Sequence, residues 1–110
     1  PATILFFWRN EDSDRQTTVN SLKTLCRGSR LQMVDICLDS DTLDWRRTID
    51  GDSVKWGHYK AIGGVVDKTI VDLNVKGSPY FIVADSTGTQ IYRGTQFDKL
   101  RDVLNKKKIK

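Results

Sequence analysis

The chain has 110 residues, of which 38% are hydrophobic and 29% charged, with 18 Lys and Arg against 14 Asp and Glu. This composition excludes disorder, and the length supports one domain with one core, because a chain of this size buries roughly two-thirds of its unfolded surface. The net charge of +4 is carried entirely by Lys106, Lys107, Lys108 and Lys110, so residues 1–105 sum to zero. A basic helix end is typical of a solvated terminus, and we therefore expect neither nucleic-acid nor lipid-surface binding.

The first half of the chain predicts a strand, a helix and a second strand. Thr3–Trp8 is apolar and rich in β-forming residues, which is typical of a central strand buried on both faces. It contains the longest apolar run, five residues, which predicts no membrane span or signal peptide in this segment. Acidic residues at 11–14 precede a helix with helically spaced apolar residues over Val19–Cys26, and Gly28 ends it. Leu31–Leu38 predicts a second strand, parallel to the first because a helix joins them.

The middle of the chain is less regular. A polar turn at Asp39–Asp44 with several capping side chains leads into a short helix around Leu43–Ile49, which the Asp50-Gly51-Asp52 turn is expected to end. Residues 53–64 have no assignable pattern. Asp67 is predicted to cap another helix, which carries the apolar residues Ile70, Val71 and Leu73 and closes near Asn74.

The last third predicts a hairpin and a helix. Tyr80–Ala84 and Gln90–Arg93 are predicted strands, antiparallel because the tight turn Asp85-Ser86-Thr87-Gly88 joins them. Phe97–Lys107 has the apolar spacing of a final helix. Together the elements predict an α/β domain with a mixed sheet of four or five strands and helices on both faces.

The two cysteines do not form a recognisable redox or metal motif. Cys26 and Cys37 are ten residues apart, and His58 is the single histidine, so we predict no metal site and no cofactor. Burial in a helix end and a strand favours two inert core thiols, although a disulfide between them stays open as an alternative.

The order of elements and two local signatures resemble the thioredoxin fold. One signature is the strand ending in Phe7-Trp8 before a loop and a long helix; the other is Val75–Val83, similar to that family's V-x-G-x-P segment. The resemblance is strongest to the TlpA-like branch of bacterial thiol-disulfide oxidoreductases, grouped with the thiol-specific antioxidant superfamily. Asp39–Ile49 looks like the insertion of that branch, and Asp85–Gly88 is similar to its D-x-x-G hairpin.

The resemblance implies a helix that begins with C-x-x-C, and the matching positions here are Asp12 and Arg15. Disulfide exchange needs a thiolate and a resolving thiol, so we expect no catalytic residues and a degenerate, redox-inactive site. Glu11, Asp12 and Asp14 are instead expected to cap the helix, each stabilising it by about 0.3–1 kcal/mol. A new catalytic role for these carboxylates is the less favoured alternative.

The resemblance also implies that Pro79 is cis and that the backbone of Ser78 pairs with an extended peptide. Trp8, Ser78 and Pro79 are therefore the substrate-binding candidates, because main-chain pairing needs no cysteine. The alternative is that the proline only shapes the start of the strand.

Other polar and aromatic candidates favour ordinary structural roles. We expect Trp45 and Trp56 to fill the core or its rim, and Arg46 and Arg47 to lie on a solvated helix face. His58 has no visible acid partner in the sequence, so a general-base role is not predicted.

These observations predict a thioredoxin-like domain without the redox cysteine pair, which binds a partner protein or peptide. By resemblance it is the C-terminal domain of a longer, exported protein, periplasmic or membrane-anchored. One alternative is a divergent oxidoreductase that uses Cys26, Cys37 or a thiol from elsewhere. Another is a purely structural domain, which predicts an exposed apolar edge. Partner identity and oligomeric state are not predicted.

Overall fold

The computed structural model describes residues 1–39, 42–52 and 54–107, and at 42–44 the backbone only. The predicted capping side chains around 40–44 and the basic residues after Lys107 lie outside what is described. The elements in chain order are β1 Thr3–Trp8, α1 Arg15–Cys26, β2 Gln32–Cys37, α2 Thr42–Asp52, β3 Gly57–Lys60, a 3-10 turn Gly64–Val66, α3 Lys68–Asp72, β4 Tyr80–Ala84, β5 Gln90–Gly94 and α4 Phe97–Lys107.

The five strands form one mixed sheet in the order β3-β2-β1-β4-β5. β1 runs parallel to β2, β2 runs parallel to β3, and β4 is antiparallel to both β1 and β5. This confirms the predicted fold class and the two predicted strand pairings. β1 is central, and its apolar sequence follows from having a hydrophobic core on each side.

Alternate residues of β1 enter two separate cores. Phe6 and Trp8 lie in the larger core with residues of α1, β4 and α4, and the ring of Phe6 stacks on Phe81 with centroids 5.3 Å apart. Phe7 faces the opposite side, where it packs with Ile70 of α3 and with Ile82 of β4. The two-residue period of the strand therefore divides its aromatic side chains between the two faces of the sheet.

Two elements of the middle region differ from expectation. Residues 57–60, predicted irregular, form the edge strand β3, whose Asp35↔His58 and Ile36↔Tyr59 registers pair it with β2. A four-residue edge strand has only one neighbour to pair with, and it therefore needs no continuous apolar run. α2 also continues to Asp52 instead of ending before the Asp50–Asp52 turn.

The short helix and the hairpin follow their predicted turn chemistry. Asp67 caps α3 by accepting a hydrogen bond from the Thr69 N–H at 2.9 Å. The Asp85 carboxylate accepts from the N–H groups of Thr87 and Thr89 in the hairpin turn. Of the apolar residues of α3, Ile70 is buried and Val71 is 57% exposed, because a single five-residue helix presents only one face to the sheet. No helix among the described residues is long and apolar enough to cross a lipid bilayer.

Candidate functional site

The loop that follows β1 meets the segment that precedes β4 at one end of the sheet. Phe7 and Tyr80 are paired residues of the antiparallel β1–β4 ladder, which places Pro79 beside the end of β1. The Ser78–Pro79 peptide bond is cis. Ser78 Oγ donates a hydrogen bond to Asp12 Oδ1 at 3.1 Å, so the two segments are joined directly.

Asp12 turns back toward the loop and does not cap α1. Its Oδ2 accepts from the backbone N–H of Arg9 at 2.9 Å, while Oδ1 accepts from Ser78. Asp14 occupies the N-cap position but makes no side-chain capping bond, with φ −95° and ψ 9° in place of the extended geometry that capping uses. The predicted carboxylate capping of this helix was therefore wrong.

Arg15, the first residue of α1, forms a buried ion pair with the end of α2. Its Nη1 and Nη2 donate to Oδ1 and Oδ2 of Asp52 at 2.8 and 2.6 Å, and the two side chains are only 7% and 1% exposed. The guanidinium carbon also lies 3.8 Å from the ring centroid of Trp8, within the range of a cation–π contact. This ion pair explains why α2 extends through Asp52.

Asp35 collects three donors in the interior of the protein. Trp8 Nε1 donates to its Oδ1 at 2.9 Å, and Trp56 Nε1 donates to its Oδ2 at 2.8 Å. His58 Nδ1 lies 2.5 Å from the same Oδ2, and the Asp35 side chain is 1% exposed. A buried carboxylate needs such donors to replace its lost hydration.

Sequence reasoning missed this Asp35 cluster, which comprises Asp35, Trp8, Trp56 and His58. His58 does have an acid partner, contrary to expectation. One signal was available: Asp35 is the acidic residue of an otherwise largely apolar strand, and it shares the strand face of the buried residues Met33 and Cys37.

The Trp8 side chain is buried and does not line the surface cavities beside Pro79. It is 0% exposed, and the Arg15 guanidinium lies over its ring. The prediction that Trp8 contacts a bound segment directly is therefore corrected, since the last residue of the central strand is fully covered. Ser78 and Pro79 do lie at the surface cavities described below.

Asp35, Asp52 and His58 are the described residues whose ligand atoms come close enough to hold a metal, all within 4.8 Å of one another. Both oxygens of Asp52 already accept from Arg15, and those of Asp35 accept from the two indoles. A cation at this position would have to displace these donors and would meet the positive charge of Arg15. The donor set therefore fits a hydrogen-bonded network better than a metal centre.

The surroundings of Cys26 and Cys37 do not favour a reactive thiol. Both are free thiols, and Cys37 is completely buried. Burial raises the pKa of Cys37 to about 11, although the backbone N–H of Asp39, 3.4 Å from Sγ, acts in the opposite direction. Burial also raises the pKa of Cys26. Raised pKa values reduce the fraction of nucleophilic thiolate at neutral pH.

Two small cavities meet at Pro79. One, of about 250 Å³, is bounded by the acidic loop 11–14, Arg15, Thr18 and Pro79. The other, of about 350 Å³, is bounded by residues 76–80 together with Asn74 and Thr95. Among the described residues, the N–H and C=O of Ser78 take part in no backbone hydrogen bond. The Ser78 backbone therefore has unpaired hydrogen-bonding groups in a residue that lines the second cavity.

The chain is similar in structure to thiol-disulfide oxidoreductases and thioredoxin-like proteins. A thiol-disulfide oxidoreductase from Bacteroides fragilis superposes with a TM-score of 0.80 at 21% identity, over 96% of this chain and 80% of that one. The thioredoxin domain of a thiol-disulfide oxidoreductase from Bacteroides vulgatus gives 0.78 at 16% identity, over 99% and 79%. A thioredoxin-like protein from Parabacteroides distasonis gives 0.71 at 19% identity, over 94% and 79%.

No protein-family model matches the sequence, and no curated protein is detectably similar to it. The fold is therefore established by structural similarity, and it agrees with the resemblance found in the sequence motifs. The chain therefore has a thioredoxin-like fold.

Proposed function

We propose that this domain binds an extended segment of a partner protein at the Ser78–Pro79 edge and does not catalyse thiol–disulfide exchange. The single observation that carries the proposal is that, among the described residues, the Ser78 backbone has no hydrogen-bond partner. Ser78 lines one of the two cavities that meet at Pro79, and its hydroxyl bond to Asp12 holds it in place. An exposed backbone edge can pair with an extended chain, while adjacent cavities accept its side chains.

The absence of redox chemistry is supported by the groups at the two family cysteine positions. Asp12 serves as a hydrogen-bond acceptor in the loop, and Arg15 is committed to Asp52. A divergent oxidoreductase would use Cys26, Cys37 or a thiol from elsewhere, and burial raises the pKa values of the two cysteines of this chain. A raised pKa makes a thiol a poorer nucleophile for exchange at neutral pH, and Cys37 is in addition completely buried.

The setting of the domain follows from resemblance to the TlpA-like branch. We propose an exported protein, periplasmic or membrane-anchored, of which this chain is the C-terminal domain. Fractionation of the source cells with an antibody against the domain tests this localisation.

The binding proposal is tested by NMR titration of the ¹⁵N-labelled domain with reduced, carboxymethylated α-lactalbumin, an unfolded chain without thiols. We expect saturable shifts at the amides of residues 11–15 and 76–80. Pro79→Ala should weaken binding, whereas Ser86→Ala, in the distant hairpin turn, should not. Shifts elsewhere, or equal binding by Pro79→Ala, would contradict the proposed site.

The proposed lack of thiol–disulfide exchange activity is tested by the reduction of insulin with dithiothreitol. The domain should accelerate the reaction no more than buffer does. Acceleration that is lost in Cys37→Ser or Cys26→Ser would favour the divergent oxidoreductase.

A second candidate function, a structural domain that packs on another protein surface, is favoured by a specific observation. Four large apolar side chains are exposed around β3 and α3: Tyr59 at 61%, Ile62 at 88%, Val66 at 78% and Val71 at 57%. Exposed apolar patches of this kind often mark interfaces. If this candidate is the true function, Ile62→Ser and Val66→Ser should increase solubility, and the α-lactalbumin titration should give no shifts.

A further inference from the structure

A cavity separate from the Ser78–Pro79 edge lies between the C-terminal end of α1 and the start of α4. Its volume is about 550 Å³, larger than either cavity beside Pro79 and within the range of small-molecule sites. We call it the α1–α4 cavity; its walls come from α1, the turn that follows it, and the first two turns of α4.

Two of the residues that line the α1–α4 cavity, Leu25 and Phe97, have large apolar side chains. Leu25 is 8% exposed and belongs to the larger core, while Phe97 is half-buried and meets Phe81 edge-on at 6.4 Å between ring centroids. Both residues are fixed by the core behind them. An apolar ligand body would therefore displace water from a preformed surface.

Two guanidinium groups line the same cavity. Arg27 ends α1, and among residues 1–39, 42–52 and 54–107 its side chain forms no ion pair. Arg101 lies 6.0 Å from the ring centroid of Phe97, and its contacts with Asp98 and Asp102, at 3.4 and 3.9 Å, are exposed and long. Such contacts are weak and leave guanidinium donors available to a ligand.

Apart from the contacts of Arg101 with Asp98 and Asp102, the described residues that line the cavity offer these cations no charged partner. No carboxylate is among the described residues that line the cavity. The hydroxyls of Thr24 and Ser29 donate to the backbone carbonyls of Asn20 and Cys26, at 3.2 and 2.8 Å, so their protons are already engaged. Recognition of charge in this cavity thus depends on the two arginines.

From this combination we infer that the α1–α4 cavity binds a small organic carboxylate with an apolar body, of the size of an aromatic acid. The apolar part packs on Leu25 and Phe97, and the carboxylate lies between Arg27 and Arg101. Guanidinium–carboxylate pairing gives a charge-assisted, geometrically specific contact. The site is independent of peptide binding at Pro79.

The test is an NMR titration of the ¹⁵N-labelled domain with 3-phenylpropionate and, in parallel, with its neutral analogue 3-phenylpropanol. We expect saturable shifts at the amides of residues 21–29 and 97–101 with the acid and at least tenfold weaker binding of the alcohol. Arg27→Gln and Arg101→Gln should each weaken binding of the acid about tenfold, the typical consequence of losing a charge-assisted hydrogen bond.

Arg30→Gln is the matched control, because Arg30 is an exposed arginine of the same turn that does not line the cavity. It should bind the acid as the unmodified protein does. The inference is overturned if no saturable shift occurs, if the alcohol binds as tightly as the acid, or if Arg30→Gln weakens binding as much as Arg27→Gln. Each variant shows by its spectrum whether it is folded.

Discussion

Arg15 and Asp52 form two hydrogen bonds to each other inside the protein, at 2.8 and 2.6 Å, across 37 residues of sequence. The pair ties the first turn of α1 to the last turn of α2, directly beneath the loop that contains Asp12. The guanidinium of Arg15 and the buried carboxylate of Asp52 neutralise each other's charge. Each residue therefore supplies the counter-charge that the other needs in the protein interior.

Removing one member of this pair should destabilise the fold strongly. Arg15→Met leaves the Asp52 carboxylate buried without a counter-charge, and we expect a loss of about 3–5 kcal/mol in the free energy of unfolding. The double variant Arg15→Met/Asp52→Leu should be more stable than Arg15→Met alone, because no buried charge remains. Urea unfolding followed by circular dichroism measures both.

The control for this prediction is Lys68→Met, which breaks an ion pair with Asp72 whose side chains are 88% and 62% exposed. Such pairs contribute about 0.5 kcal/mol or less. If Arg15→Met cost no more than Lys68→Met, the buried pair would have no special role in stability.

Asp35→Asn should also destabilise the protein. Asparagine offers one acceptor oxygen, whereas the carboxylate accepts from Trp8 on one oxygen and from Trp56 and His58 on the other. At least one buried donor then loses its partner, at a cost of about 1–3 kcal/mol. The urea midpoint reports the loss, and the near-ultraviolet signal of the two indoles should change.

The comparison for Asp35→Asn is Asp102→Asn, which changes an exposed carboxylate of α4. An Asp35→Asn protein as stable as Asp102→Asn would mean that the three hydrogen bonds do not stabilise the fold.

Alkylation of Cys37 in the native protein should be slow at pH 8 and should increase with pH. Because burial raises the pKa of its thiol to about 11, the thiol stays neutral well above pH 8. At three units below that pKa (11 − 8 = 3), roughly one thiol in a thousand is ionised. The Cys26→Ser variant leaves Cys37 as the thiol that reacts, and mass spectrometry measures the rate of its alkylation by iodoacetamide. This rate should rise with pH up to about pH 11.

The same protein unfolded in urea supplies the control, because its exposed thiol regains an ordinary pKa. It should react far faster at pH 8 than the native protein does. Equal rates in the two states would show that Cys37 is accessible and would favour the oxidoreductase alternative.

Ser78→Ala should weaken the contact between the loop after β1 and the segment before β4. The variant loses the 3.1 Å bond from Ser78 Oγ to Asp12, and we expect a destabilisation of about 0.5–1.5 kcal/mol. Hydrogen exchange at the Arg9 amide, which donates to the same carboxylate, should accelerate. Unchanged exchange at Arg9 in Ser78→Ala would indicate that Asp12 is held without Ser78.

Elements with strong local patterns were predictable from the sequence. β1 and α4 begin and end where the sequence predicts, because an apolar run and a helical spacing are properties of neighbouring residues. The Asp67 cap and the Asp85 turn are likewise local, since each side chain bonds the backbone two residues along. β3 escaped prediction because its identity depends on pairing with β2.

The same distinction between local patterns and long-range contacts applies to the candidate site. Asp12, Arg15, Ser78 and Pro79 were predicted from the resemblance of the sequence motifs to those of the thioredoxin family. Only the tertiary structure decided that Asp12 bonds Ser78 instead of capping a helix, that Trp8 is buried beneath the site, and that Arg15 is paired with a residue 37 positions away. The partner of a buried charged group depends on which residues the tertiary structure brings within hydrogen-bond distance. Sequence spacing carries little information about such contacts.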